Sequence, residues 1–276
     1  MLGINSLRFF FRLRRMRRYP PGAHIFAFDG VKVALDFAYP NHRSLYLRKA
    51  FEPELTQVLR RAVRPGDVFV DIGANFGWYT NWLLVKEPGL RAVYAYEPLA
   101  AIFRLLERSL RANGCERRCV ARRLAIGSKP GTVSIKTFEG LDPMHASFYP
   151  LADLPFKEEE VPVEPLDALA TEMVAAPAVI KCDVEGAERE VLLGSTRLMA
   201  GAFGTPPLWF LEANYETAAM AGYFPWELTE IAALNGYKPF TIRDSRCVEL
   251  RSNRGLRHND VLILAIPASH RERLGG

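Results

Sequence analysis

The chain has 276 residues, of which 49% are apolar and 24% are charged, proportions typical of a folded globular protein. It contains no stretch of about 18 apolar residues, so the sequence predicts no transmembrane helix. The formal net charge is +5, but subtracting the six arginines of residues 1–18 leaves −1 for the rest of the chain, which argues against a general nucleic-acid-binding face.

Two features of the sequence bear on where the protein works: an arginine-rich arm at residues 1–18 and four cysteines. The arm mixes arginines with leucines and phenylalanines, which is typical of a solvated terminus and also compatible with weak peripheral contact with an anionic membrane. It lacks the uninterrupted apolar core of a secretion signal. The cysteines have neither disulfide-framework nor zinc-site spacing. We therefore expect a reducing, cytoplasmic compartment.

Residues 19–66 are predicted to form an N-terminal extension. The stretch "HIFAFDGVKVALDF" alternates around Asp29-Gly30, a two-residue turn that closes hairpins. A helical pattern follows from Glu52 to Val63 and is ended by Pro65-Gly66. The main domain is then expected to occupy residues 67–276.

From Asp67 onward, strands and helices alternate along the chain. The predicted strands are "VFVDI", "RAVYAYEP", "RCVARRLAIG", "TVSIKTF", "AVIKCDVEG", "LWFLEAN", "KPFTIRD" and "VLILAI". Such alternation predicts a doubly wound α/β sheet, mostly parallel, with helices on both faces. Ligands of these sheets bind at the carboxyl ends of the strands, where Asp71, Glu97, Asp183 and Glu212 are expected.

The turn in "DVFVDIGANFGWYT" indicates the type of ligand. Gly73 and Gly77 stand between a strand and a helix, where backbone without side chains can approach a nucleotide-type cofactor. Their spacing differs from the dinucleotide fingerprint. The carboxylate of Asp71 would repel a pyrophosphate and would suit a cationic cofactor without phosphates, such as S-adenosylmethionine. Glu97, at the end of the next strand, is placed to accept hydrogen bonds from ribose hydroxyls.

A family resemblance rests on six motifs that occur in this order: "VDIGANFGWYT", "YAYEP", "LAIGSKPGTVSI", "EPLDAL", "VIKCDVEGAEREVLLGS" and "LEANYE…PWELTEIAALNGYKP". Together, over roughly Glu52 to Ile266, they resemble the FkbM family of S-adenosylmethionine-dependent methyltransferases. The resemblance implies a Rossmann-like class I methyltransferase fold with a seven-stranded sheet, and O-methylation of hydroxyls on sugars and natural products. It implies cofactor contacts from Asp71, Gly73, Ala74, Asn75, Gly77, Glu97, Pro98, Ala125, Ile126 and Asp183.

Four side chains are candidates for catalysis, because methyl transfer to an alcohol needs a base for the hydroxyl proton. Asp183 and Glu185 follow the fourth main strand, Glu212 ends the fifth, and His145 lies on a loop in "LDPMHASFYP". Asn214, beside Glu212, is a further candidate. Two of them have a structural alternative: for Asp183, binding of the cofactor or capping of a helix without proton transfer, and for His145, an exposed loop histidine. Asp183, Glu185 and Glu212 could also gather a divalent cation that polarises a hydroxyl, but no histidine or dense Asp-x-Asp spacing supports this alternative, and the sequence predicts no metal site.

Two other functions remain open at this point. One is N-methylation of an amino group on a macromolecule. Such enzymes commonly carry an Asn/Asp-Pro-Pro-aromatic turn after the fourth strand, and the sequence "DVEG" at this place argues against that function. The other is a non-catalytic module that binds a nucleoside. The favoured acceptor is a hydroxyl of a small molecule, sugar or natural product, without nucleic acid as partner. Acceptor identity and oligomeric state do not follow from the sequence, because acceptor loops vary freely on one scaffold.

Overall fold

The computed structural model describes residues 12, 14–16, 18–138 and 155–275. Within this part of the chain, no helix is both long and apolar enough to cross a bilayer. All four cysteines carry free thiols.

The N-terminal extension is a hairpin followed by two helices. Strands β1 (Ala23–Phe28) and β2 (Val31–Asp36) pair antiparallel around Asp29-Gly30, as predicted. Both turn residues have positive φ, 48° and 80°, which matches the right-handed twist of a two-residue hairpin. Helix α1 (Pro40–Arg48) was not predicted, although Pro40 at its first position is a start signal. Helix α2 (Pro53–Ala62) is the predicted one.

The main sheet contains eight strands: β3 (Val68–Ile72), β4 (Ala92–Tyr96), β5 (Cys119–Arg122), β9 (Val179–Cys182), β10 (Leu208–Asn214), β11 (Lys238–Arg243), β12 (Arg246–Glu249) and β13 (Asn259–Ala265). Their order is β12-β11-β13-β10-β9-β3-β4-β5. The five strands from β5 to β10 pair in parallel, and every pair from β10 to β12 is antiparallel. The sheet is therefore mixed but mostly parallel, since six strands share one direction.

The main sheet has eight strands, one more than the seven predicted. The additional strand is β12, which extends the edge of the sheet through a two-residue turn at Asp244-Ser245. Both turn residues have positive φ, 49° and 59°. The turn lacks the glycine that usually marks such hairpins in a sequence, so the strand was missed.

Helices cover both faces of the main sheet, which confirms the doubly wound architecture. In β3, Phe69 belongs to one hydrophobic core, and Val68 and Val70 belong to the other, because strand side chains alternate. The first core contains apolar side chains of α1, α2, α3 (Trp78–Lys86) and α4 (Ala100–Asn113). The second contains those of α5 (Leu166–Leu169), α6 (Glu188–Leu193), α7 (Thr196–Met199), α8 (Tyr215–Met220) and α9 (Glu227–Ala233).

A second, three-stranded sheet corrects the prediction of one strand over "RCVARRLAIG". Only Cys119–Arg122 of that stretch joins the main sheet; Ala125–Ile126 forms β6 of the small sheet. There it pairs with β8 (Phe156–Glu164), which pairs in turn with β7 (Gly131–Phe138). Strand β8 was not predicted, because its run of lysine and glutamates hides the alternation. The remaining short elements are 3₁₀ turns at Glu116–Arg118, Ala170–Glu172 and Asn253–Gly255, and helix α10 (Pro267–His270).

Candidate active site

A first cleft opens where the strand order reverses. From β3 the sheet continues through β4 to β5 on one side and through β9 to β10 on the other. Ligands of doubly wound sheets bind at this switch point. The cleft has a volume of about 740 Å³, counted to its open mouth. Seven of the residues predicted to bind the cofactor line it: Gly73, Asn75, Glu97, Pro98, Ala125, Ile126 and Asp183.

The other three predicted cofactor ligands, Asp71, Ala74 and Gly77, do not line this cleft. Asp71 is fully buried, and its Oδ2 accepts a hydrogen bond from the Thr80 hydroxyl at 2.6 Å. Alternation along β3 places Asp71 on the same face as Phe69, inside the first core. Asp71 therefore does not line the first cleft, and its direct contact with the cofactor stays a prediction.

The two glycines of the turn allow close packing of the chain upon itself. A Cβ atom at Gly73, where φ is +70°, would lie 1.8 Å from the carbonyl oxygen of Asp183. At Gly77, where φ is +86°, it would lie 2.5 Å from Cδ1 of Leu106. Both glycines thus bring β9 and α4 against the turn, and the close approach of a ligand to the turn stays a prediction.

Gly73→Ala is expected to lower the free energy of unfolding by about 1–3 kcal/mol more than Gly114→Ala, the usual cost of overpacking. The two positions have similar backbone strain, with φ of +70° and +66°, but a Cβ at Gly114 meets nothing within 4 Å. Urea unfolding of both variants at the same pH isolates the collision with Asp183. Equal losses in the two variants would contradict the close packing at Gly73.

Glu97 fixes the turn and faces the first cleft. Its Oε2 accepts the backbone N–H of Asn75 and its Oε1 that of Leu99, both at 2.9 Å. Only 6% of the residue is exposed. Burial raises the pKa of Glu97 to about 7, although the two backbone hydrogen bonds lower this pKa by favouring the ionised form. The carboxylate therefore titrates near neutral pH.

Lys181 is the central cation of the site, and the sequence analysis did not single it out. It is 4% exposed, and its Nζ lies 3.2 Å from Oδ2 of Asp183 and 3.8 Å from Oδ1 of Asp71. The same Nζ donates a hydrogen bond to the carbonyl oxygen of Gly73 at 3.0 Å and lies 5.4 Å from the centre of the Tyr79 ring. Burial disfavours its charge, but the surrounding carboxylates outweigh burial and raise the pKa of Lys181. A lysine within the apolar strand "VIKC" was the available signal.

A second cleft, of about 1100 Å³ counted to its mouth, lies on the other side of Asp183. Residues of α2, β10, β11 and β13 line it, and its walls carry both signs of charge. Arg243 is paired with Asp260 at 2.6 Å. The guanidinium of Arg257 is exposed and makes no ion pair within the described residues. The second cleft is therefore a polar chamber adjoining the first.

Three of the four predicted catalytic side chains meet at the junction of the clefts. Asp183 lines both clefts, Glu185 lines the first and Glu212 lines the second. One carboxylate oxygen from each lies within 4.8 Å of the others. Burial, followed by the charges of Asp183 and Glu188, raises the pKa of Glu185 to about 9. Burial also raises the pKa of Glu212, again with Asp183 contributing.

Glu188 holds the turn that carries Glu185, and the sequence analysis missed it. Its Oε1 accepts the backbone N–H of Val184 at 3.0 Å, and its Oε2 that of Gly186 at 3.1 Å. The hydroxyl of Tyr223 donates to the same Oε2 at 2.8 Å. Only 2% of Glu188 is exposed. These contacts support Glu185 in its left-handed conformation, with φ of 53°.

Two further candidates have different outcomes. His145 lies outside the described residues, so its role stays a prediction. Asn214, also considered beside Glu212, caps helix α8: its Oδ1 accepts the backbone N–H of Glu216 at 2.9 Å and that of Thr217 at 3.4 Å. This capping accounts for an asparagine at that position.

Comparison with known proteins identifies the part of the chain that holds the first cleft. Residues 71–204 match the family model described as Methyltransferase FkbM domain. This part of the chain is similar to FkbM methyltransferase domains. The match confirms the resemblance predicted from the sequence motifs. The matched residues supply the lining of the first cleft together with Lys181, Asp183 and Glu185, whereas Glu212 lies beyond them.

One curated relative and two solved structures are similar to this chain. The 31-O-demethyl-FK506 methyltransferase FkbM of Streptomyces tacrolimicus is 30% identical over 163 residues, 48% of this chain and 60% of that protein. The crystal structure of methyltransferase FkbM from Methylobacillus flagellatus KT aligns with 17% identity and a TM-score of 0.49, over 81% of this chain and 52% of that one. M. jannaschii TYW2 in complex with AdoMet aligns with 13% identity and a TM-score of 0.43, over 89% of this chain and 85% of that one.

Proposed function

We propose that the protein transfers a methyl group from S-adenosylmethionine to a hydroxyl of a small-molecule, sugar or natural-product acceptor. The observation that supports this most directly is the position of Asp183, which lines both clefts at their junction. A donor in the first cleft and an acceptor in the second would meet beside its carboxylate. Such positioning is the main contribution that an enzyme makes to a displacement reaction.

The residues of the first cleft fit S-adenosylmethionine. The carboxylate of Glu97 is available to ribose hydroxyls, and the apolar side chains of Ile102, Ala125 and Ile126 offer a surface for the adenine ring. By the family resemblance, Asn75 would hold the methionine end, and Asp183 would lie beside the methyl group. When bound, the cofactor supplies an electrophilic methyl carbon on a cationic sulfonium, whose charge suits a cleft lined by carboxylates.

The chain's own residues then position the acceptor and take up its proton. The acceptor oxygen would form the new O–C bond, the electron pair of the broken C–S bond would remain on sulfur, and the hydroxyl proton would pass to a carboxylate. Asp183 is the best-placed acceptor for that proton, because it borders both clefts. Glu185 and Glu212, whose pKa values are raised by burial, are poorer bases at neutral pH.

The class of acceptor rests on the curated relative and on the second cleft. The Streptomyces tacrolimicus relative is a 31-O-demethyl-FK506 methyltransferase, whose name places the methyl group on an oxygen atom. This chain spans 60% of that protein. We propose a hydroxyl acceptor for this chain as well. The charged side chains in the walls of the second cleft suit an acceptor with several hydroxyls.

A methyl-transfer screen tests the proposal. Purified protein is incubated with S-adenosylmethionine and with matched panels of hydroxyl acceptors and amine acceptors, and S-adenosylhomocysteine formation is measured against a control without acceptor. We expect turnover with sugar, lipid-linked or natural-product alcohols. Turnover with amines alone would contradict O-methylation, and bound cofactor without turnover on either panel would favour a binding module.

Cofactor affinity is expected to rise with pH through 7, because ribose hydroxyls donate best to an ionised Glu97, whose pKa is about 7. If only the ionised form of Glu97 binds the ribose, binding is about tenfold weaker at pH 6 than at pH 8, because the ionised fraction falls by that factor. Calorimetric titration with S-adenosylhomocysteine across this range measures the effect. Glu97→Gln should flatten the profile, and a pH-dependent profile that survives this substitution would remove Glu97 from the ribose site.

A further inference from the structure

The carboxylates at the junction of the two clefts form a cluster that proton transfer alone does not require. Asp183 and Glu185 follow β9, and Glu212 lies on the neighbouring strand β10. One oxygen atom from each lies within 4.8 Å of the other two. Three like charges at this separation repel one another strongly where water is partly excluded. A proton or a cation must therefore compensate them.

The cation already present does not compensate all three. The Nζ of Lys181 lies 3.2 Å from Asp183 and 3.8 Å from the buried Asp71. These two carboxylates already carry more negative charge than the single positive charge of Lys181 can balance. Within the described residues, neither Glu185 nor Glu212 forms an ion pair with a lysine, arginine or histidine. Both carboxylates thus lack a positive partner.

Glu212 provides an independent indication of a missing ligand. Its side chain is largely buried, and its Oε2 atom accepts no hydrogen bond from the described part of the chain. Buried polar atoms almost always have a partner, and an exception points to a bound ion or water. The carboxyl group that carries this atom is the one that converges on Asp183 and Glu185.

We propose that Asp183, Glu185 and Glu212 bind one divalent cation, Mg²⁺ or Mn²⁺, at the junction of the clefts. Three carboxylates and no nitrogen or sulfur atom are the ligand set that hard cations prefer. The three residues leave coordination positions open toward both clefts. This site revises the sequence-based expectation of no metal, since strand pairing brings together acids that are 27 residues apart in the chain.

The consequence for catalysis rests on the proposed methyl transfer, whereas cation binding itself does not. A cation at the junction binds the acceptor oxygen through a lone pair and lowers the pKa of the hydroxyl. The second oxygen of Asp183 remains available for the proton. The positive charge also lets all three carboxylates ionise together.

Titration with Mn²⁺ followed by electron paramagnetic resonance tests the site, since the signal of free aqueous Mn²⁺ disappears on binding. The full chain is stripped with a chelator and compared with Glu212→Gln and with Glu54→Gln, a control that removes an exposed carboxylate of the same cleft. We expect one tight site per chain in the wild type and in Glu54→Gln, and at least about tenfold weaker binding in Glu212→Gln, the loss of one charged ligand.

Calorimetry with S-adenosylhomocysteine on the same metal-free samples shows whether each is folded and separates the two proposals. A wild type that binds S-adenosylhomocysteine but not Mn²⁺ would overturn the cation site alone. Equal Mn²⁺ affinity in the wild type and Glu212→Gln would overturn it as well. If Glu212→Gln is unfolded, Glu185→Gln takes its place, with the same expected loss and the same contradicting outcome.

Discussion

Lys181→Met is expected to lower the free energy of unfolding by about 3–5 kcal/mol, the usual cost of leaving a buried charge without its partner. Asp71 is fully buried, and Lys181 is its only ion-pair partner among the described residues. The substitution also removes the hydrogen bond to the carbonyl oxygen of Gly73. We therefore expect weaker binding of S-adenosylhomocysteine by any protein that still folds.

The measurement is urea unfolding at pH 7.5, with Lys238→Met as the matched control. Lys238 pairs with Glu249 at 3.5 Å at the surface, where the two side chains are 56% and 50% exposed. Removing such a pair costs about 0–1 kcal/mol. Similar losses for the two lysine variants would mean that Asp71 is protonated in the folded protein and needs no cation.

Asp183→Asn is expected to reduce turnover by roughly 10²–10⁴-fold, the usual contribution of a general base. Asparagine keeps the shape of the side chain but cannot accept the hydroxyl proton. Affinity for S-adenosylhomocysteine should change little. Turnover is measured with an acceptor from the hydroxyl panel, and affinity is measured by calorimetry on the same samples.

The control for this substitution is Asp29→Asn, in the exposed turn of the first hairpin, where asparagine is well tolerated. It should leave turnover and cofactor affinity unchanged. A near-normal rate for Asp183→Asn would show that positioning alone drives the transfer. A parallel loss of affinity and turnover would make Asp183 a cofactor ligand and leave the base to be found among Glu185, Glu212 and His145.

The first cleft could be predicted from the sequence because parallel strands end at one edge of a sheet. Each strand that ends in an acid therefore places that acid near the others, and Glu97, Asp183 and Glu212 were identified in this way. The same reasoning placed Asp71 at the cleft, which it does not line. A continuously apolar strand does not reveal which face its last residue occupies, and in β3 that face is the core.

Lys181 and the second cleft depend on contacts that a linear pattern does not show. Asp71 and Lys181 are paired residues of β3 and β9, which are adjacent in the sheet but 110 residues apart in the chain. The second cleft is bordered by Glu52 of the N-terminal extension, whose carboxylate accepts a hydrogen bond from the Tyr79 hydroxyl. The helical pattern of the N-terminal extension gave no sign that its first residues would reach the site.

The acidic cluster illustrates the same limit. Asp183 and Glu185 were predicted together because they are close in the chain, and Glu212 was predicted separately as a strand end. Their separation within 4.8 Å depends on the parallel pairing of β9 with β10. Spacing along the sequence therefore could not distinguish three independent carboxylates from one site.

The central claim is that the first cleft binds S-adenosylmethionine, and calorimetric titration with S-adenosylhomocysteine and with NAD tests it most directly. We predict one site per chain for S-adenosylhomocysteine, weakened by about 1–3 kcal/mol in Glu97→Ala through loss of a charged hydrogen-bond acceptor. We predict no binding of NAD. Tight binding of NAD, or no binding of S-adenosylhomocysteine by the folded wild-type protein, would contradict the account.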